Sequence, residues 1–204
     1  GNDNGIFHIY DYAIGFIAGW GAHPLDQLQW WADVEDRGIP TRYEGTGTIP
    51  AQGLRDTITH WDMTCTYPDG LVMRFVDSQT AAKVVPHHGQ FKSGDGTLLI
   101  GEDGWVAAWR GSWKVSHDRL YKAAKNPGKP HLTVSTGQQT SFIDAVLARD
   151  QPVSNLHSAA RSDIICHLCD IAIRENRPIT WDPKAETITG DAAAAKRMSR
   201  PMRA

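Results

Sequence analysis

Cysteine is scarce in this chain, with three in 204 residues: Cys65, Cys166 and Cys169. That number cannot build a disulfide framework and favours a reducing compartment. No apolar run approaches the roughly 20 residues of a bilayer-spanning helix. No signal peptide opens the sequence. From the cysteine usage a cytoplasmic location is expected, or a periplasmic one if an export signal precedes this segment. Charge of one sign is missing too: 21 Lys and Arg stand against 23 Asp and Glu. Without a basic stripe or an apolar span, neither nucleic acid nor membrane is an expected partner.

Known chemical fingerprints are also absent. Gly45-Thr46-Gly47 and Gly94-Asp95-Gly96 lack the third glycine and the strand-to-helix setting of a phosphate cradle. No GxSxG nucleophile turn and no HExxH zinc helix occurs. Cys166-His167-Leu168-Cys169 has CxxC spacing. It falls mid-helix by pattern and has no second ligand pair, so core packing is expected rather than a redox or zinc site. His87-His88 follows Pro86 in an expected loop, with no partner ligands in view.

What the chain has in quantity is tryptophan, eight residues in all. Indoles supply core area, and at open positions they make platforms for ligands. The patterning gives an element order. A helix is expected over Pro24–Ala32, with Pro24 at its first position. Strand character follows over Tyr43–Ile49. Trp61, Met63, Cys65 and Tyr67 then alternate with polar residues, turn at Pro68-Asp69-Gly70 and return over Leu71–Val76, which predicts a hairpin. A second hairpin is expected over Thr97–Ile100 and Trp105–Trp109. Ser116–Pro130 reads as a surface loop. Helices follow over Thr140–Asp150, with a Phe142, Ile143, Val146, Leu147 stripe, and over Ser158–Glu175. A short helix over Ala192–Ser199 is capped by Asp191 and ended by Pro201. Helix, strands, then helices is an α+β layout: an open, mostly antiparallel sheet with helices packed on one face.

The stretch GWGAHPLD, residues 19–26, carries the sharpest chemical candidate. Gly19 and Gly21 permit close backbone approach by a ligand. His23 falls at or next to the helix start, where the positive end of the dipole favours its neutral, proton-accepting form. Asp26 lies one turn ahead and is placed to orient the imidazole. General base, helix cap and metal ligand are all open readings of His23 from these residues, although His23 and Asp26 alone are too few for a zinc site.

Several segments together resemble one family. YDYAIGFIAGWGAHPLDQLQWW, from Tyr10 to Trp31, resembles the start of the C-terminal domain of the Gfo/Idh/MocA oxidoreductases (the glucose–fructose oxidoreductase/inositol dehydrogenase family). That family carries an aspartate, a glycine two on, a histidine four on and often a further aspartate. Here Gly21, His23 and Asp26 fill the last three positions, and Gly19 stands where the first aspartate is usual. GEDGWVAAWRG (101–111), TSFIDAVLARDQP (140–152), SDIICHLCDIAIRENRPITWDP (162–183) and the closing GDAAAAKRMSRPMR resemble the family's later segments in the same order.

The resemblance implies that residues 1–204 are a single C-terminal substrate-binding and oligomerisation domain. NAD or NADP would be bound mainly by an N-terminal Rossmann domain that this segment lacks, so the domain alone is expected to be inactive. The implied reaction is hydride transfer between the nicotinamide and a hydroxyl carbon of a sugar or cyclitol. His23 would be the catalytic base, with Trp20 and Asp26 binding substrate and Trp30 one turn on. A homo-oligomer, dimer or tetramer, would form through the sheet face. No metal is implied. The family also admits NAD-dependent glycosidases, and Gly19 in place of the aspartate admits a non-catalytic carbohydrate-binding or oligomerisation module.

Overall fold

The computed structural model describes residues 5–34, 36–91, 95–126, 128, 135 and 137–200. The chain enters through a short helix α1 (Phe16–Gly19) and turns at once into α2 (Ala22–Val34). Gly21 makes that corner possible: a Cβ there would lie 2.1 Å from the Ile17 carbonyl oxygen and 2.4 Å from the Phe75 ring. Helix α2 begins two residues before the expected Pro24. Its first turn has no intrahelical use for the amide hydrogen that proline lacks, so Pro24 is tolerated inside it. Leu25, Leu28 and Ala32 are buried on its core face, as their spacing predicts. Gln29, also fully buried, is satisfied: its Nε2 donates to the Gly38 carbonyl at 3.0 Å and its Oε1 accepts from the Tyr67 hydroxyl at 3.1 Å.

Five antiparallel strands follow in the order β3-β2-β1-β7-β8: β1 (Arg42–Thr48), β2 (His60–Thr66), β3 (Val72–Val76), β7 (Ile179–Asp182) and β8 (Thr187–Thr189). The β2–β3 hairpin forms as its alternation predicts. Trp61, Met63 and Cys65 point inward and are buried, with Tyr67 just beyond. Helix α6 (Leu156–Glu175) covers this inner face with Ile165, Cys166, Leu168, Cys169 and Ile173. Gly47 lets it sit close, since a Cβ there would lie 2.9 Å from the Ile173 side chain. The CxxC thus lies mid-helix in the core, with the Cys169 sulfur 3.7 Å from that of Cys65. The opposite sheet face is polar. Arg42 pairs with Glu44 at 3.0 Å and Arg74 with Asp62 at 2.6 Å, among threonines 46, 48, 64, 66 and 180.

A second antiparallel sheet, β4-β5-β6, stands beside the first: β4 (Thr97–Gly101), β5 (Gly104–Trp109) and β6 (Ser112–Val115). The fold is therefore α+β with open antiparallel sheets and helices, but its strands divide between two sheets rather than one. The expected second hairpin is β4–β5. Strand β6 was not expected, and it returns through Arg110-Gly111, where Gly111 takes a positive φ of 76°.

Two further expectations change. Ser116–Pro130 is not all loop: Asp118–Lys125 forms α4, capped by the His117 ring and ending in Lys122 and Lys125. Those lysines read as loop charge but complement the C-terminal end of a helix dipole. Pro127, Lys129 and Pro130 lie outside the described residues. Helix α5 (Gln138–Ala148) forms where expected, but its apolar stripe does not face a core. Phe142, Ile143, Val146 and Leu147 are 55–78% exposed, and Ala145 is the buried residue. Helix α7 (Ala192–Lys196) is capped by Asp191, which accepts from the amides of Ala193 and Ala194. Pro201, expected to end it, lies outside the described residues.

Candidate active site

The α1–α2 corner brings two of the three candidate residues together. Trp20 is 51% exposed and His23 is exposed in the first turn of α2. Their rings meet edge-on, centroids 5.5 Å apart and planes at 63°. The His23 amide donates to the Trp20 carbonyl at 3.1 Å, which fixes the spacing of the pair. An imidazole that is open to solvent beside an open indole face can accept a proton from a hydroxyl while the neighbouring ring lies against apolar C–H groups.

Asp26 is placed differently. It is half-buried and turned to α6, where its Oδ1 accepts from the hydroxyls of Ser162 at 3.3 Å and Ser158 at 3.5 Å. Two turns on, Asp33 pairs with Arg161 at 2.6 Å. The α2–α6 seam is thus stitched by polar contacts through the face that carries Asp26. Trp30, also half-buried, lies one turn on from Asp26.

The two glycines of GWGAH serve the protein's own packing. The space over Gly21 is held by Ile17 and Phe75. The space over Gly19 is held by the Phe7 ring, whose Cζ would be 2.0 Å from an added Cβ. Phe7 belongs to an aromatic cluster with His8 and Phe16, centroids about 5 Å apart. The position that resembles the family's aspartate is therefore filled from the side by a phenyl ring.

Residues 19–21 border two cavities. One, of about 630 Å³, includes Gly19, Tyr12, Asp163, His167 and Arg200 among its lining. Tyr10 also lines it, and the guanidinium groups of Arg174 and Arg200 lie 3.4 Å and 4.3 Å from the centroid of its ring. The other, of about 640 Å³, lies between the two sheets and includes Trp20 and Gly21. Neither lining was legible as a site in the sequence, because its residues come from segments far apart along the chain. Away from this corner, Asp77 caps α3 (Ser78–Val84) and gathers donors from Gln79, Thr80 and the buried Trp61 amide, with the His60 ring 3.2 Å away. Burial works against its charge, but these hydrogen bonds prevail and hold its carboxyl at about 2. Among the described residues no group of three or more His, Cys, Asp or Glu is placed to hold a metal ion, and no helix is long and apolar enough to cross a membrane.

Comparison with known proteins agrees with this architecture. No curated protein matches the chain. Among solved structures, an NAD-binding protein from Listeria innocua aligns with a TM-score of 0.51 at 15% identity, over 88% of this chain and 50% of that one. An aldose–aldose oxidoreductase from Caulobacter crescentus, solved with glycerol, aligns with a TM-score of 0.43 at 12% identity, over 74% of this chain and 45% of that one. At these identities the likeness to the Listeria protein is one of fold, and the chain spans about half the length of either protein. The family described as "Oxidoreductase family, C-terminal alpha/beta domain" matches residues 125–204, which cover α5, α6, β7, β8 and α7. These residues, fewer than half of the chain, are similar to the C-terminal alpha/beta domain of the Gfo/Idh/MocA oxidoreductases.

Proposed function

We propose that this chain is the substrate-side domain of an NAD(P)-dependent oxidoreductase acting on a hydroxyl carbon of a sugar or cyclitol. The observation that carries the proposal is the exposed His23 ring set against the exposed Trp20 ring at the α1–α2 corner. In this reading His23 accepts the hydroxyl proton as the carbon is oxidised, and Trp20 lies along the sugar's C–H face. Asp26 contributes a substrate contact through Oδ2, since Oδ1 is engaged with Ser158 and Ser162.

The nicotinamide of such a reaction supplies the hydride acceptor. The described residues do not fit it: the strands pair only antiparallel, with no βαβ unit and glycine-rich turn to cradle a dinucleotide. In this reading the cofactor is held by a Rossmann domain outside this chain. Assembly of copies through the open sheet face is part of the same proposal. That face is polar, so its contacts would be hydrogen bonds and ion pairs rather than apolar packing.

One observation favours a second reading. Gly19 stands at the aspartate position and Phe7 fills the space beside it, which suits a module that binds carbohydrate without oxidising it. The assay that separates the two uses the natural full-length protein with NAD⁺ or NADP⁺ and a panel of sugars and cyclitols, following reduced nicotinamide at 340 nm. Turnover on at least one sugar supports the oxidoreductase reading. Nucleotide binding without turnover on any of them overturns it.

A further inference from the structure

Helix α5 has 11 residues and stands off the body of the domain. Among the described residues no helix or strand packs along it. Its small-residue side is the one that touches the rest of the chain. Ala145 is buried there, and the half-buried Ser141 hydroxyl accepts from the Val153 amide at 3.3 Å. By helical spacing the stripe of Phe142, Ile143, Val146 and Leu147 lies on the opposite side. Those side chains are 55–78% exposed, and Leu156 at the start of α6 is 85% exposed. A contiguous apolar stripe of this kind marks an interaction surface. An isolated helix shorter than ~12–15 residues is marginal in water and draws its stability from packing of an apolar face. On α5 the stripe is the face left to supply it.

The size of the stripe selects the kind of cover. A stable interface between free proteins engages roughly 20–30 residues a side, and this one offers a handful. A surface that small holds a neighbour already tethered to it, because linkage supplies an effective concentration on the order of millimolar. The place of the stripe selects which neighbour. The α5–α6 connection lies at the end of the domain that carries the His23 corner: the Ser158 hydroxyl, two residues past Leu156, donates to Asp26 at 3.5 Å, and Asp26 is one turn from His23. A domain that delivers a nicotinamide to His23 has to cover this end. The chain spans 50% of the length of the Listeria innocua protein, which leaves room for such a domain.

We propose that the apolar stripe of α5 is the seat of the nucleotide-binding domain of the same polypeptide, which lays an apolar surface on Phe142, Ile143, Val146 and Leu147. The inference rests on the oxidoreductase reading, in which that domain holds the cofactor. It adds a second role for this chain: besides offering His23 and Trp20 to the substrate, it fixes through α5 how the two halves of the cleft meet.

The test uses the natural full-length protein. Val146→Cys puts a thiol on the stripe, and Asp144→Cys puts one on the same helix beside it, where the native side chain is exposed. The cysteines of this chain are buried, so a maleimide reads the new thiol. Val146→Cys is expected to react at least about tenfold more slowly than Asp144→Cys, because labelling must wait for the domains to part. Leu147→Cys repeats the comparison at another position of the stripe. Equal rates at all three positions overturn the proposal. The occupant is identified by Phe142→p-benzoylphenylalanine and irradiation. A crosslink to the nucleotide-binding domain of the same polypeptide, in a yield independent of protein concentration, is expected. A crosslink to a second copy that fades on dilution, or none at all, overturns the assignment. Slow labelling of Val146→Cys without turnover on any sugar sustains the docking and sinks the oxidoreductase reading. Turnover with a freely labelled stripe does the reverse, so the two fail separately.

Discussion

The Trp20 indole stands edge-on to the His23 imidazole with ring centroids 5.5 Å apart. A backbone hydrogen bond from the His23 amide to the Trp20 carbonyl sets that relationship, so the pair is fixed by the helix start rather than by the rings. If Trp20 is the platform for a sugar's apolar face, Trp20→Ala should raise KM about tenfold and change kcat little, because stacking on an aromatic contributes to ground state and transition state alike. Steady-state kinetics of the full-length protein check this. A fall in kcat with unchanged KM would contradict it.

Gly21 and Gly19 should respond differently to substitution. A Cβ at Gly21 meets backbone, the Ile17 carbonyl at 2.1 Å, whereas one at Gly19 meets the far end of the Phe7 ring. Gly21→Ala is expected to cost about 2–3 kcal/mol, as for an overpacked site with no room to relax. Gly19→Asp should destabilise when made alone and be tolerated in a Phe7→Ala background, where it restores an acidic residue beside the His23 corner. Urea denaturation measures each. Equal losses for Gly21→Ala and Gly19→Ala would contradict the assignment.

Asp77 should make acid stability depend on one carboxylate. Its folded value of about 2 lies below the ordinary 3.8, so its contribution is fully present above pH ~4 and is lost as pH falls through ~2. Asp77→Asn should flatten the stability–pH slope in that window. Asp77→Ala should cost about 2–4 kcal/mol at neutral pH, combining a lost helix cap with an unsatisfied Trp61 amide. Denaturation midpoints at several pH values between 2 and 6 test both, and an unchanged slope in Asp77→Asn would contradict the assignment.

The three cysteines should be silent in the native protein. All are buried, and burial raises the thiols of Cys166 and Cys169 so that little thiolate forms. Ellman's reagent is expected to titrate none of them in minutes natively and all three in denaturant. A thiol that reacts quickly in the folded state would contradict the packing.

The parts of the fold that were legible in the sequence are those where one local pattern agrees with the tertiary environment. The alternation of Trp61, Met63, Cys65 and Tyr67 predicts a strand with one face inward, and α6 supplies the cover for that face. The stripe on α5 shows the limit. Phe142, Ile143, Val146 and Leu147 have helical spacing, and the helix forms, yet periodicity reports an apolar face and not what covers it. Helix α4 escaped notice because its lysines resemble a solvated loop. Asp26 could be placed on α2 from the sequence, but its serine partners lie more than 130 residues away, beyond what spacing can show. The cavity between the sheets was illegible for the same reason, since its lining comes from segments far apart along the chain.

The most direct test of the central claim is the turnover of His23→Ala in the full-length protein, measured on whichever sugar the wild type oxidises. A general base is worth about 10²–10⁴ in rate. His23 is exposed, so its loss should leave the melting temperature unchanged within a degree or so. A fall in kcat of at least ~100-fold with nucleotide binding intact is the result this account predicts. Turnover within about threefold of wild type, a barrier change of under about 1 kcal/mol, would show that the proton leaves by another route and would contradict the role of His23.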